Sequence, residues 1–377
     1  MVKKVSVFLF ILLIFAFLTI SIYAEEDKLP EGYDEIENAI PDDLKDILPD
    51  EIFDDDMDSI ISGISQITSL EYILNSIFNI IGLNFNSVKS SLATICMLLV
   101  ICALIKMLKK SITNEEISKV LDIITCSIMV ISIMKITQEP LNQCVQVLEN
   151  IQIFVNTASP LICSMYAMGG NVKSALVNNY GILVFLSVFE NICIVGIKTM
   201  IGICCSLTVA SSFLSDDNLR SLSTGIKKSF TFIVGFAMLI FTTVISTQNV
   251  LSSKADTLSS KTAKMLVSQI IPLVGSTVGE SLRTAGASIE YLRSNVGVLL
   301  IFILILMIAP TLITLFLHRL VFILTNSMAG LLSCEKEGKI LDEISSIFGY
   351  SLAILIICTI SLLYILTVFA KCSSALS

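Results

Sequence analysis

The chain has 377 residues, of which 54% are hydrophobic and 15% are charged, and its net charge is −8. Soluble domains hold roughly 45–50% apolar and about 25% charged residues, so this composition argues against a soluble cytosolic enzyme. A single histidine excludes HExxH and two-histidine zinc fingers, and the lack of tryptophan and of basic runs with aromatics leaves nucleic-acid binding unsupported.

The N-terminus has the pattern of a secretory signal. Two lysines precede an apolar run, and Ala24 ends a plausible cleavage site before the first acidic residue. The apolar run is long, and Ile22 is large for the third position before cleavage. Residues 1–24 are therefore predicted to be a signal peptide, with an uncleaved anchor as the alternative.

The negative charge is concentrated in residues 25–58. This segment holds 16 acidic residues against two lysines, a net charge of −14, whereas the rest of the chain carries +6. Repelling carboxylates and interspersed prolines predict a poorly ordered, extracytoplasmic tether. Its final acidic cluster lacks the glycine and the terminal glutamate of an EF-hand, so no calcium site is predicted.

Residues 59–86 show apolar side chains at helical spacing and predict an amphipathic helix. The polar face lacks the lysine and arginine enrichment of helices that bind lipid surfaces, which favours packing against protein.

Residues 87–377 form the predicted polytopic body, with five to seven spans judged against about 20 apolar residues per crossing. The run at 176–213 is either one long tilted helix or two spans with a turn near Lys198. Residues 320–333 are too short to cross and predict a re-entrant or surface helix. The remaining predicted spans are residues 87–108, 120–137, 229–248, 295–317 and 350–370.

The positive-inside rule predicts the direction of the first span. If the acidic segment is extracytoplasmic, residues 87–108 run inward and deliver Lys106 and Lys109 to the cytoplasm. Counting residues 176–213 as two spans keeps the basic residues between 254 and 293 inside as well, so this alternative is slightly favoured.

Several polar residues within the apolar body are candidates for mechanism. Glu190 lies deep in an apolar run, where a carboxylate usually faces a bundle interior or a wet cavity. Lys198 is eight residues further along, too far to pair with it on a straight helix. Ordinary helix packing is the alternative for both.

The segment from residue 254 to 281 predicts a broken helix. Its charged residues are Lys254, Asp256, Lys261 and Lys264. Pro272 then interrupts the apolar run, and Gly275 and Gly279 form a GxxxG pair that permits close helix approach. Half-helix ends of this kind build sites at membrane depth, whereas a kinked packing helix is the plainer alternative. Residues 159–170, with Pro160 and paired glycines, predict a second short re-entrant turn or loop.

These blocks carry a family resemblance. KADTLSSKTAK at 254–264, IPLVGSTVGES at 271–281, the NVG that opens the next span at 295, and the weaker SPLICSMYAMGG at 159–170 resemble the stage III sporulation protein AE family of endospore-forming bacteria. The acidic N-terminal segment carries no transferable motif.

The resemblance implies an integral protein of the mother cell's outer forespore membrane. Family members are regarded as subunits of a channel or secretion-like complex needed for forespore development, so other membrane proteins of that complex are the implied partners. The predicted fold is an all-α bundle. The family offers no catalytic residues to transfer, and no cofactor or metal is predicted. A second copy of the chain is a further candidate partner. A secondary transporter for a small solute and a passive scaffold are the alternatives.

Overall fold

The computed structural model describes residues 69–109, 115–168, 180–214, 218–240 and 275–371, with isolated positions between 49 and 67 and at 243. Within these ranges the chain is helical and contains no strand. The predicted signal peptide and nearly all of the acidic segment lie outside these ranges. The segment from Lys254 to Pro272, with its four charged residues, lies outside them as well. The helices are α1 (Leu70–Lys109), α2 (Glu115–Met168), α3 (Tyr180–Leu214), α4 (Asn218–Ile240), α5 (Gly275–Leu331) and α6 (Glu335–Lys371).

Six helices in the described residues are long and apolar enough to cross a membrane. This confirms the predicted all-α membrane fold and the expected five to seven spans. The windows are Phe85–Lys109, Glu116–Ala158, Ser187–Phe213, Asn218–Ile240, Val296–Leu331 and Glu335–Tyr364. α1 also contains the second half of the predicted amphipathic segment, which continues without interruption into the first span.

The α5–α6 hairpin forms the centre of the bundle. α6 packs along α5 and also contacts α2 and α3, while α1 and α2 pack against α5. From Val296 to Ile308, α5 is almost completely buried on all sides. A helix that is apolar around its whole circumference is expected in such a central position, whereas the outer helices bury only one face.

The turn of this hairpin closes with a Schellman motif. The Cys334 amide donates to the Ala329 carbonyl at 2.8 Å, and the Ser333 amide donates to the Gly330 carbonyl at 3.2 Å. Ser333 takes the left-handed conformation, with φ of 57°, that this motif requires and that glycine adopts without strain.

We expect Ser333→Gly to stabilise the hairpin by about 1 kcal/mol, because it removes the strain of a left-handed side chain. Ser327→Gly is the matched control, since Ser327 is exposed on regular helix and glycine there costs about 0.5–1 kcal/mol. Thermal unfolding of the purified protein in detergent measures both. A lower melting temperature for Ser333→Gly would show that the side chain has a role beyond the turn.

Three sequence-based expectations about helix breaks were wrong. α3 is continuous through Gly196 and Gly202, so the favoured division of 176–213 into two spans does not occur. α2 continues through Pro160 to Met168 in place of a separate re-entrant piece. Residues 320–331 are the end of α5 rather than a short separate helix. Packing explains this, because partner helices support a helix across proline and glycine.

The helices alternate in direction, and five of their ends meet at one end of the bundle. Lys109 at the end of α1 pairs with Asp122 near the start of α2 at 2.5 Å. The Cys126 thiol of α2 lies 3.5 Å from the carbonyl of Ser212, near the end of α3. Lys106 reaches the carbonyl of Ser333 in the hairpin turn at 3.2 Å. The ends of α1, α3 and α5 and the starts of α2 and α6 therefore lie together.

Candidate functional site

Glu190 lies where α3 faces the interior of the bundle. Its side chain is 3% exposed, and neither carboxylate oxygen has a hydrogen-bond partner among the described residues. Three buried free thiols, Cys144 of α2, Cys193 of α3 and Cys358 of α6, belong to the same interior. Glu190 is therefore buried in the bundle, and its role as a packing or pathway residue stays a prediction.

Lys198 points away from that interior. It is exposed on α3, eight residues beyond Glu190, and the two side chains do not pair. Gly275 and Gly279 begin α5, in continuous helix. The proposed break at Pro272 lies outside the described residues and stays a prediction, as does any role of Lys254, Asp256, Lys261 and Lys264.

A buried ion pair joins α4 to α6. The Lys227 ammonium lies 2.5 Å from Oε1 of Glu343, and the Ser223 hydroxyl donates to the same oxygen at 2.5 Å. Lys227 is 0% exposed and Glu343 is 6% exposed. The Lys227 ammonium also lies over the Tyr350 ring, 6.0 Å from the ring centroid.

The ion pair fixes α4 against the central hairpin. Each of the two buried charges compensates the other. Removal of one partner would leave a single buried charge, which is strongly destabilising. The predicted span 229–248 begins directly after Lys227 and Lys228, so the sequence indicated no role for Lys227 inside the bundle. The available signal was spacing, since Ser223 and Lys227 are four residues apart and share one face of a helix.

A second set of charges lies at the end of the bundle where the helix termini meet. Lys106 pairs with Glu337 at 3.0 Å, and Lys109 pairs with Asp122. These side chains are partly exposed, apart from the buried carboxylate of Glu337. They tie the first helical hairpin to the turn between α5 and α6.

His318 and Arg319 follow the predicted span 295–317, and both side chains are at least partly buried in the bundle. His318 is 2% exposed in the middle of the α5–α6 contact, where its ring stacks on Phe348 at 6.0 Å between centroids. Its Nδ1 lies 2.9 Å from the Thr314 carbonyl. Arg319 is partly buried against Gly349.

The polar groups of the described bundle are therefore tie points between helices. In the described part of the chain, no three His, Cys, Asp or Glu side chains are arranged to hold a metal ion, and nine of its cysteines are free thiols.

We expect Glu190→Leu to raise the thermal stability of the bundle. The carboxyl group has no hydrogen-bond partner in the described structure, and an unsatisfied buried polar group costs about 1–3 kcal/mol. Unfolding in detergent measures the change, with Asn191→Leu, an exposed neighbour, as the control for added hydrophobicity. A fall in melting temperature would show that Glu190 is satisfied in the native membrane protein.

Comparison with known proteins adds a family assignment to this geometry. The family model for stage III sporulation protein AE matches residues 53–374. A curated relative, stage III sporulation protein AE of Bacillus subtilis (strain 168), is 23% identical over 292 residues, which cover 74% of this chain and 69% of the relative. No solved structure matches the chain.

Proposed function

The chain belongs to the stage III sporulation protein AE family, and we propose that it serves sporulation as a membrane subunit of a channel or secretion-like complex linking mother cell and forespore. The role in sporulation follows from the family, and the helices make it an integral membrane protein. The complex, its mother-cell membrane and its partners are the proposed part.

The outer face of α2 is the observation that carries the proposal. α2 has 54 residues and is about 80 Å long at 1.5 Å per residue, over twice what a bilayer crossing requires. Its first part exposes Ile117, Val120, Ile124, Ile128 and Ile131, as lipid contact demands. Between Lys135 and Pro160 the exposed side chains that the structure describes are mostly polar, with Ile153 and Pro160 as exceptions. The exposed polar ones are Gln138, Glu139, Asn142, Gln146, Glu149 and Asn156.

This change of polarity supports a role in an assembly. A helix that only crossed lipid would keep an apolar exposed face throughout, so the second part of α2 is suited to contact with protein or water. The continuous helix through Pro160 removes one of the two broken helices on which the alternative of a self-contained transporter depended. No observation favours that alternative.

The basic residues suggest which end of the bundle faces the cytoplasm. Lys106, Lys109 and Lys119 lie at the end where the helix termini meet, and α6 adds Lys336 and Lys339 there. By the positive-inside rule we propose that this end is cytoplasmic. The connection from α4 to α5 and the N-terminal acidic segment then face the space between the two membranes.

Affinity isolation from sporulating cells tests the proposed complex. The tagged chain, extracted in mild detergent, should bring down other membrane proteins made only during sporulation, and deletion of the chain should prevent their recovery as a complex. The same tag on an unrelated six-span protein is the control. Isolation of the chain alone, together with solute uptake by proteoliposomes containing only this chain, would overturn the proposal in favour of a transporter.

A further inference from the structure

Two exposed lysines lie near the middle of membrane-spanning helices. Lys198 is on α3, within the window Ser187–Phe213, and Lys228 is on α4, within Asn218–Ile240. Exposed apolar residues flank each lysine on both sides along its helix. They are Val195 and Ile203 on α3, and Leu222 and Phe232 on α4.

Neither lysine forms an ion pair in the part of the chain that the structure describes. A cation in the middle of a lipid-facing surface is costly, and such residues normally pair with an acidic group. Lys198 and Lys228 therefore need an acidic partner in the membrane, and another polypeptide has to supply it.

The two lysines lie at the same height in the bundle. Gly196 of α3 packs directly against the ring of Phe230 of α4, and the Cys204 thiol lies 3.8 Å from the carbonyl of Ser223. The helices are antiparallel, so Lys198, two residues after Gly196, is level with Lys228, two residues before Phe230.

Glu139 of α2 lies at this height as well. Contacts between Cys126 and Ser212 and between Gln152 and Ser187, both at 3.5 Å, fix the register of α2 against α3. Glu139 lies midway between the two α2 contacts, and Lys198 lies near the middle of the two α3 positions. Glu139 is exposed on the polar outer face of α2, where its carboxylate accepts a hydrogen bond from Gln143 of the same helix at 3.3 Å and from no other residue that the structure describes.

We propose that the partner is a second copy of this chain, and that the outer face of α2 in one copy packs against the outer face of α3 and α4 in the next. In a cyclic assembly around an axis along the membrane normal, residues of equal height meet. Glu139 of one copy then pairs with Lys198 or Lys228 of its neighbour. Both surfaces that are unsuited to lipid are covered by this one contact.

The shape of α4 fits the same contact. A shallow groove of about 710 Å³ runs along its outer face, where Ser221, Gly225 and Ser229 lie between larger apolar side chains. Small residues at this spacing let a second helix approach closely. Because the two contacting surfaces differ, the contact is head-to-tail and repeats around a closed ring.

Cross-linking between differently tagged copies tests the proposal directly. Two versions of the chain without native cysteines are expressed together in one membrane. One version has Glu139→Cys and the first tag, and the other has Lys198→Cys or Lys228→Cys and the second tag. A short bismaleimide should join the two tags, whereas pairing Glu139→Cys with Lys89→Cys, an exposed lysine on α1, should not. Equal cross-linking of all pairs, or of none, would overturn the proposal.

Charge exchange provides a second measurement in the chain with native cysteines. We expect Lys198→Glu with Lys228→Glu to shift the protein from oligomer to monomer by light scattering in mild detergent, and Glu139→Lys in addition to restore the oligomer. A monomeric unaltered protein, or an oligomer indifferent to these charges, would contradict the ring. The ring is argued from surface charges and not from the channel role, so failure of either proposal leaves the other standing.

Discussion

Lys227→Met is expected to destabilise the bundle by about 3–5 kcal/mol, because it leaves the carboxylate of Glu343 buried without its cation. Ser223 is the one remaining hydrogen-bond donor to that carboxylate that the structure records. α4 would lose its attachment to α6, and spore yield should fall with the amount of folded protein. Unfolding in detergent and immunoblots of sporulating cells measure the two effects.

The double variant Lys227→Met with Glu343→Met separates pairing from packing. Replacing both buried charges by apolar residues of similar size is often neutral or stabilising, so the double variant should recover most of the lost stability. Ser223 can then donate to a carbonyl of its own helix. Lys228→Met, one residue further on and exposed, is the control. Equal losses in the single and double variants would show that the ion pair does not hold α4.

Phe322→Ala is expected to cost about 3 kcal/mol, because it opens a cavity between α5 and α6. Phe322 is 0% exposed, and its ring lies 5.4 Å from that of Phe348 between centroids. In a membrane this loss is chiefly one of van der Waals packing, since lipid offers no hydrophobic drive for the helices to associate.

Phe316→Ala, on the same helix, is the matched control for Phe322→Ala. Phe316 is 43% exposed, so its truncation removes lipid contact and leaves the hairpin intact. Melting temperatures in the same detergent compare the two variants. A similar loss for both would show that α5 and α6 are not the central packing unit of the bundle.

The spans were predictable from the sequence because membrane crossing depends on length and apolarity, which a single chain displays. The predicted spans 87–108 and 350–370 each lie within one continuous helix, α1 and α6 respectively. The burial of Glu190 was predictable for the same reason, since a carboxylate in an apolar run has few other places to lie.

Helix breaks were not predictable, because they depend on tertiary contacts. Pro310 lies inside α5 between residues packed against α6, and the Thr314 hydroxyl donates to its carbonyl at 2.8 Å. Gly196 marks a close contact with Phe230 rather than a turn. Local propensity favours a break at such residues, and packing by neighbouring helices overrides it.

The pairing of Lys227 with Glu343 could not be read from one chain either. The two residues are 116 positions apart, and the spacing of Ser223 and Lys227 does not indicate which carboxylate lies opposite them. Once α3 is known to be a single helix, the direction of α4, α5 and α6 changes, and so does the side assigned to the segment between α4 and α5. This single continuous helix is the point on which the orientation of the bundle depends.

Labelling of single cysteines tests the central claim, that six alternating helices share one cytoplasmic end. The reagent is added outside intact non-sporulating cells that express the chain in the plasma membrane, where its non-cytoplasmic side faces the medium. In a chain without its native cysteines, Ser333→Cys at the α5–α6 turn should be protected from a membrane-impermeant maleimide, and Ser253→Cys between α4 and α5 should react. Both should react after the membrane is opened. Protection of Ser253→Cys together with Ser333→Cys in unopened cells would contradict the alternating bundle and the account built on it.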